Sequence, residues 1–174
     1  MENQTLEQVN IKVPEPKSIK VETGINQEHR DEIAHGLKQV LSDTYCLMLM
    51  TQNYHWNVKG NLFREIHIMT EEQYEDLFEA IDKVAERIRA LGHITPGTMA
   101  EFNDRTNINI PNAELSDLEM VADLLAANET VVRVLRNTLD PAEKAHDEAT
   151  ADLITERLRF HEKTAWMWRS FLEK

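Results

Sequence analysis

Four side chains that can bind a transition metal lie within about thirty residues of this chain. His55 and His67 offer imidazoles, and Asp82 and Glu86 offer carboxylates one helical turn apart. A mixed imidazole and carboxylate set suits iron, zinc or manganese better than calcium. Two plainer interpretations stand beside this one: the acids are a solvated helix face paired with nearby arginines, and His55 is a capping or packed histidine.

The spacing of these residues prevents one protomer from binding a single ion with all four. If His67 and Asp82 share a helix, a rise of about 1.5 Å per residue separates them by roughly 22 Å. Either the set is a coincidence or a second copy of the chain completes the site. If this helix and its copy run antiparallel across a two-fold axis, the two histidines of one chain face the two acids of the other. We therefore predict a metal site at an interface.

The apolar pattern predicts four long helices. Helix one runs from about Gln27 to Val58, and helix two from Phe63 or Arg64 to Gly92, with Gly60 available as a left-handed cap between them. Helix three opens at a capping box that begins with Ser116, and proline 141 is expected to kink or end it. Helix four begins near residues 147–150 and runs to the end of the chain.

Residues 93–115 form a connection too long for a hairpin, so we expect it to cross the length of the bundle. Four helices with one long crossover between helices two and three are the ferritin-like arrangement, which makes the chain all-α. We divide it into an extended N-terminal tail, residues 1–25, and a four-helix bundle domain, residues 26–174.

Composition narrows the possible functions. The formal net charge of −12 argues against a basic duplex-DNA reader and suits attraction of cations. One cysteine, Cys46, excludes an internal disulfide, fits a reducing compartment and is expected to be buried and inert. No secretory signal or apolar stretch of membrane-spanning length is visible, so we expect a cytoplasmic protein with no membrane partner and with the nucleoid as an alternative location.

Three segments together resemble the signature of the Dps family, the miniferritins named as DNA-binding proteins from starved cells. They are Tyr54 to Gly60, Phe63 to His67 and Asp82 to Arg87, and the resemblance extends over roughly residues 28–173. It implies a ferroxidase centre formed by His55, His67, Asp82 and Glu86 between two-fold related subunits. It further implies that twelve subunits enclose ferric mineral, and that hydrogen peroxide, rather than dioxygen, is the preferred oxidant.

The resemblance also suggests roles for residues around the centre. Glu71 stands where the family often has a further acid and could help to hold a second, weaker iron. Trp56 could donate electrons, although packing between subunits is the favoured interpretation, and Lys59 could pair with an interface carboxylate.

Asp147 and Asp152 match acids that line the three-fold pores through which iron enters, with Glu143 or Glu156 as additions. Their plainer interpretation is acids that complement a helix N-terminus.

Two competing interpretations stay open at this point. A larger ferritin places its di-iron site inside one bundle, but the two Glu-x-x-His strings, ending at His35 and His146, lie near helix ends. Direct DNA compaction is disfavoured because four glutamates outnumber three lysines in the tail.

Trp166 and Trp168 cannot share one helix face, so we expect one of them to pack between subunits.

Overall fold

A computed structural model describes residues 20–173 as five helices and, within that range, no strand. This confirms the predicted all-α class. The helices are α1 (Gln27–Asn57), α2 (Phe63–Ala90), α3 (Met99–Arg105), α4 (Asp117–Lys144) and α5 (Glu148–Leu172). Most of the predicted N-terminal tail, residues 1–19, lies outside the described residues, and so does residue 174.

The four long helices share one apolar core. Helix α1 packs against α2 and α4, and α4 packs against α5. Apolar residues at three- and four-residue steps, such as Ile33 and Leu37 of α1, are fully buried because these steps keep one face of a helix toward the core. Helices α1 and α4 pack tightly at Gly36, where an added Cβ would lie 2.6 Å from Cγ2 of Thr138.

The turn between α1 and α2 is short and fixed against α4. Gly60 has a φ of +115°, the left-handed backbone predicted for it, which a side chain would strain. A Cβ at Gly60 would also lie 2.7 Å from Oδ2 of Asp117, at the start of α4. The predicted limits of both helices are confirmed to within two residues, and the turn holds the end of α1 beside the start of α2.

The long crossover is anchored to α1 by two buried side chains. Asp43 has no exposed surface, and its carboxylate accepts hydrogen bonds from the hydroxyl of Thr106 at 2.9 Å and from the backbone N–H of Asn107 at 2.6 Å. The hydroxyl of Tyr54, also fully buried, accepts from the backbone N–H of Asn112 in the crossover at 3.4 Å and donates to Asp123 of α4 at 2.7 Å. Because these bonds satisfy polar groups in the core, they fix the path of the crossover.

Two features of the fold differ from the sequence-based expectation. The crossover contains α3, which begins at a capping box formed by Thr98 and Glu101. Pro141 does not end α4, which continues to Lys144. A proline inside a helix lacks an N–H donor and its ring crowds the carbonyl four residues back, but here the helix continues past it. The chain leaves the helix where His146 adopts a φ of +53°.

The two tryptophans of α5 face in opposite directions, as their spacing requires. Trp168 has no exposed surface and donates its indole N–H to Gln73 of α2 at 3.0 Å. Trp166 is 61% exposed. Cys46 is partly rather than fully buried, and burial raises the pKa of its thiol.

Candidate metal centre at the α1–α2 turn

The two histidines singled out by their spacing lie face to face at one end of the bundle. His55 belongs to the last turn of α1, and His67 to the second turn of α2. Their ring centroids are 3.8 Å apart, with only 15° between the ring planes. His55 is only 7% exposed, and the ring of Phe63 stacks on the outer side of His67 at 5.2 Å. The short turn therefore brings the imidazoles together, as predicted.

A reciprocal pair of hydrogen bonds fixes the tautomers of both rings. Nδ1 of His55 lies 2.9 Å from the carbonyl oxygen of His67, and Nδ1 of His67 lies 2.9 Å from the carbonyl oxygen of His55. A carbonyl oxygen only accepts, so each Nδ1 must carry the proton. In the neutral ring Nε2 then keeps its lone pair, which is the form in which a histidine ligates a metal.

The residues that surround His55 reinforce this arrangement. The hydroxyl of Thr70 lies 3.3 Å from Nδ1 of His55 and donates to the carbonyl oxygen of Ile66 at 2.7 Å. The ring of Tyr74 meets the ring of His55 edge-on at 5.3 Å. No metal-ligand pattern in the sequence points to Thr70 or Tyr74, although both follow His67 at helical spacing on α2.

The predicted carboxylate ligands lie elsewhere on α2. Asp82 and Glu86 are exposed, one turn apart, and Glu71 is exposed one turn after His67. Within residues 20–173, no group of three or more His, Cys, Asp or Glu side chains converges closely enough to hold a metal ion. One protomer thus brings the two histidines together, but it does not bring Asp82 and Glu86 to them.

The outer surface of α1 and α2 exposes several large apolar side chains. We call it the α1–α2 face and define it by Trp56, Phe63, Ile68 and Phe78, which are 70%, 46%, 40% and 69% exposed. Several large apolar side chains exposed on one pair of helices are typical of a surface that binds another protein. Lys59 is exposed at the edge of this face, in the turn.

The acids expected to line a pore lie at the N-terminus of α5, in two different environments. Asp147 is 3% exposed. Its carboxylate accepts two hydrogen bonds from one guanidinium nitrogen of Arg87, at 2.6 and 2.7 Å. It also caps α5 by accepting from the backbone N–H of Thr150. Burial alone raises the pKa of Asp147, but the bonds from Arg87 and Thr150 outweigh it and lower the pKa below its ordinary value. Asp152 is exposed.

The two further acids named for the pore are both exposed. Glu156 pairs with Lys83 of α2 at 3.2 Å, whereas Glu143 lies in the last turn of α4. Lys83 and Arg87 each directly follow a predicted metal ligand and bind an acid of α5. The plainer interpretation pairs Arg87 with Asp82 and Glu86, but its guanidinium binds Asp147 instead.

In the part of the chain that the structure describes, no helix has the length and apolar character needed to cross a membrane.

Comparison with known proteins identifies the family. The family model of the ferritin-like domain matches residues 34–174. An uncharacterized low temperature-induced protein of Nostoc sp. is 38% identical over 156 residues, which cover 88% of this chain and 87% of that protein. The DNA protection during starvation protein 2 of Bacillus anthracis is 31% identical over 82% of this chain and 98% of its own length.

Solved structures agree with this assignment. The Dps protein of Bacillus brevis is 30% identical, superposes with a TM-score of 0.82, and the match covers 86% of this chain and 100% of that one. The Dps protein of Vibrio cholerae is 25% identical and superposes with a TM-score of 0.84, and the match covers 91% of this chain and 100% of that one. It is described as a member of a broad superfamily of ferritin-like diiron-carboxylate proteins. Iron storage and protection are the general role of this family. The chain belongs to the ferritin-like family and, within it, to the Dps miniferritins.

Proposed function

We propose that this protein is a ferroxidase that oxidises Fe(II) to Fe(III) at sites shared by two copies of the chain, and that it stores the ferric product inside a shell of twelve copies. The observation that carries the proposal is the state of the two histidines. Because a carbonyl oxygen accepts from each Nδ1–H at 2.9 Å, the Nε2 atom of each ring, when neutral, carries the lone pair that binds an iron ion.

The two halves of the proposed site supply complementary chemistry. Neutral imidazoles are good ligands for Fe(II), and carboxylates stabilise the harder Fe(III) product. His55 and His67 supply the first half, whereas Asp82 and Glu86 of a second copy supply the second half. Glu71, one turn from His67, would hold a second and weaker iron. The formal charge of −12 favours the approach of ferrous ions.

A shared site accounts for both the separation of the ligands and the exposed apolar face. Fifteen residues along α2 correspond to roughly 22 Å, which no single ion spans. A second copy packed antiparallel on the α1–α2 face would bring Asp82 and Glu86 to the histidines and would also cover Phe78 and Trp56. In that position, Trp56 packs between subunits, with electron donation as its second role, and Lys59 can pair with an acid of the neighbouring copy.

We propose hydrogen peroxide as the preferred oxidant, with dioxygen as the alternative. Two Fe(II) ions give one electron each to one peroxide, which takes up two protons and leaves as two waters, so that two Fe(III) ions result. The O–O bond is cleaved without a one-electron step that would release a hydroxyl radical. This pairing of electrons is what makes iron storage protective.

For the pore, we propose that Asp152 and its symmetry copies attract Fe(II), with Glu143 and Glu156 as additional acids. Asp147, the other predicted pore acid, would contribute to the local negative potential. Its two oxygens are already bonded to Arg87 and Thr150, so Asp152 is better placed to bind an arriving ion.

Mixing two inactive variants tests the shared site directly. One variant carries His55→Gln and His67→Gln, and the other carries Asp82→Asn and Glu86→Gln. In a shell reassembled from equal amounts of both, every mixed pair of chains has one site with both defects and one intact site. Because half of randomly formed pairs are mixed, about a quarter of the normal number of sites should be restored. Peroxide-dependent iron oxidation is the readout.

Two controls accompany this experiment. Each variant alone should assemble to the wild-type size by analytical ultracentrifugation and should oxidise iron slowly. A His35→Gln variant, which changes an exposed histidine of α1 outside the site, should oxidise iron at the wild-type rate. If the mixed shells are no more active than the separate variants, the site is not shared between chains. Unchanged oxidation by the double histidine variant would refute the site itself.

A second candidate function is direct protection of DNA, suggested by the name of the relative from Bacillus anthracis. We propose that DNA binding is secondary here, because a charge of −12 opposes contact with phosphates. A gel-shift assay at low salt, with and without a chelator, tests this point. Tight plasmid binding at neutral pH in the presence of the chelator would contradict it.

A further inference from the structure

A polar cluster that shares no residue with the proposed iron site lies inside the bundle. It consists of His161 and Arg157 on α5 and Asn128 on α4, which are 0%, 3% and 1% exposed. His161 and Arg157 are four residues apart, so they lie on the same face of α5, one turn from each other. Buried polar groups of this kind are almost always hydrogen-bonded, so each of their polar atoms needs a partner.

The hydrogen bonds of Asn128 determine which nitrogen of His161 carries the proton. Nδ2 of Asn128 donates to the carbonyl oxygen of Leu124 at 2.8 Å, which fixes the orientation of the amide. Its Oδ1 therefore faces Nδ1 of His161, at 2.9 Å, and can only accept. Nδ1 of His161 must be protonated, and Nε2 must carry a lone pair that needs a donor. Burial, and then the charge of Arg157, hold the pKa of His161 well below its ordinary value, so the ring is neutral.

Arg157 has the opposite requirement. One terminal nitrogen of its guanidinium donates to Asp76 of α2 at 2.6 Å, and the guanidinium lies over the ring of Phe160, 4.4 Å from its centroid. Its Nε–H, however, is buried and has no acceptor among residues 20–173, and Nε2 of His161 has no donor there. One face of α5 thus holds a buried donor and a buried acceptor, both unpaired within the described protein.

We propose that a single water molecule is bound inside each protomer between these two atoms. The water accepts a hydrogen bond from Nε–H of Arg157 and donates one to Nε2 of His161, at the usual distances of about 2.7–3.2 Å. It thereby joins a side chain that is fixed to α2 through Asp76 to one that is fixed to α4 through Asn128. Such waters are a regular part of protein interiors when two or more polar groups converge on them.

Other small ligands do not match the chemistry of this pair. A metal ion would find one lone pair beside the positive guanidinium of Arg157, which repels it. An anion would accept from Arg157 but would be repelled by the lone pair of Nε2 on a neutral His161. Only a neutral molecule that both donates and accepts satisfies both atoms, and water is the smallest of these.

A high-resolution crystal structure of the wild-type shell tests the proposal. We expect one ordered peak in every protomer, within hydrogen-bonding distance of Nε of Arg157 and Nε2 of His161. Oxygen-17 relaxation dispersion in solution should independently detect a long-lived internal water. A direct contact between the two side chains would overturn the proposal, and so would two separate waters or no density with both atoms still buried.

Three variants assign the water to its partners. His161→Phe removes the acceptor and Arg157→Met removes the donor, so each should lose the crystallographic peak and the matching relaxation signal. Asp76→Asn weakens the ion pair but keeps Nε–H of Arg157 in place, so it should retain both. If the water persists unchanged in His161→Phe and Arg157→Met, these side chains do not bind it. Should either core variant fail to fold, the wild-type and Asp76→Asn measurements still decide the question.

Discussion

The ion pair between Arg87 and Asp147 leads to an asymmetric prediction. The Asp147 side chain is 2% exposed, whereas that of Arg87 is 20% exposed. Arg87→Met leaves a carboxylate buried with only Thr150 as a partner. Asp147→Asn leaves a guanidinium that water can still reach, and an asparagine caps a helix as well as an aspartate does. We expect the arginine substitution to cost much more stability than the aspartate substitution.

The expected magnitudes follow from burial. An uncompensated buried charge costs roughly 3–5 kcal/mol, so Arg87→Met should lower the free energy of unfolding by about that amount. Asp147→Asn replaces charge-assisted bonds by neutral ones and should cost roughly 1–2 kcal/mol. The exposed pair between Arg136 and Glu162 is the matched control, and Arg136→Met should change stability by less than about 1 kcal/mol.

The contribution of Asp147 to stability should depend on pH in opposite directions in the wild type and in the Arg87→Met variant. In the wild type the pKa of Asp147 is lowered, so its contribution is present above the ordinary value of 3.8 and is lost as pH falls through the folded-state pKa. In Arg87→Met only burial and the weaker Thr150 bonds remain, and we expect burial to raise the pKa of Asp147. The penalty should then shrink as pH falls, because the protonated acid tolerates burial.

Unfolding in guanidinium chloride, followed by circular dichroism, measures these differences in the free energy of unfolding. All variants are compared at one chain concentration, because assembly contributes to apparent stability. Equal costs for the two substitutions would refute the reasoning, and so would a penalty of Arg87→Met that grows as pH falls.

Three further predictions concern the core. Asp43→Ala should lower the free energy of unfolding by roughly 3–5 kcal/mol, because buried donors lose a charged acceptor, and it should speed amide exchange of the crossover. The control Asp104→Ala, at an exposed position, should change neither the stability nor the exchange rate. Tyr54→Phe should cost about 1–3 kcal/mol in chemical denaturation, since Asp123 loses its donor. His161 has a lowered pKa, so it removes up to about 1.4 kcal/mol of stability per pH unit below 6.5. His161→Gln should flatten that slope in acid titrations, and an unchanged slope would contradict the assignment.

The sequence was sufficient for the long helices because their ends carry local signals. Gly60 marks the turn between α1 and α2, and Ser116 begins α4 through a capping box with Glu119. Helix α3 was missed although Thr98 and Glu101 form the same motif, because only one of its seven residues, Phe102, is buried. Without an apolar periodicity, the sequence of so short a helix cannot be distinguished from that of a loop.

For the candidate metal centre, the sequence predicts only contacts between residues that are close along the chain. Two histidines on either side of a short turn must lie close together, and they do. The reciprocal bonds between His55 and His67 depend on where the backbone carbonyls point, which no residue pattern encodes. The contact of Arg87 with Asp147 joins residues 60 positions apart, so it depends on how α2 packs against α5. The plainer interpretation of Asp147, as a helix cap, is the one that its contacts show.

The reciprocal bonds have a consequence for how this region can change length. Surface turns generally accept insertions, because closing a slightly longer loop costs little entropy. Here each imidazole is fixed by the carbonyl of the other helix, so the turn at residues 58–62 sets the register between α1 and α2. One extra residue that shifts this register would turn His67 by about 100° around its helix and release both rings together. The number of residues in this turn is therefore as much a part of the proposed metal site as the histidines themselves.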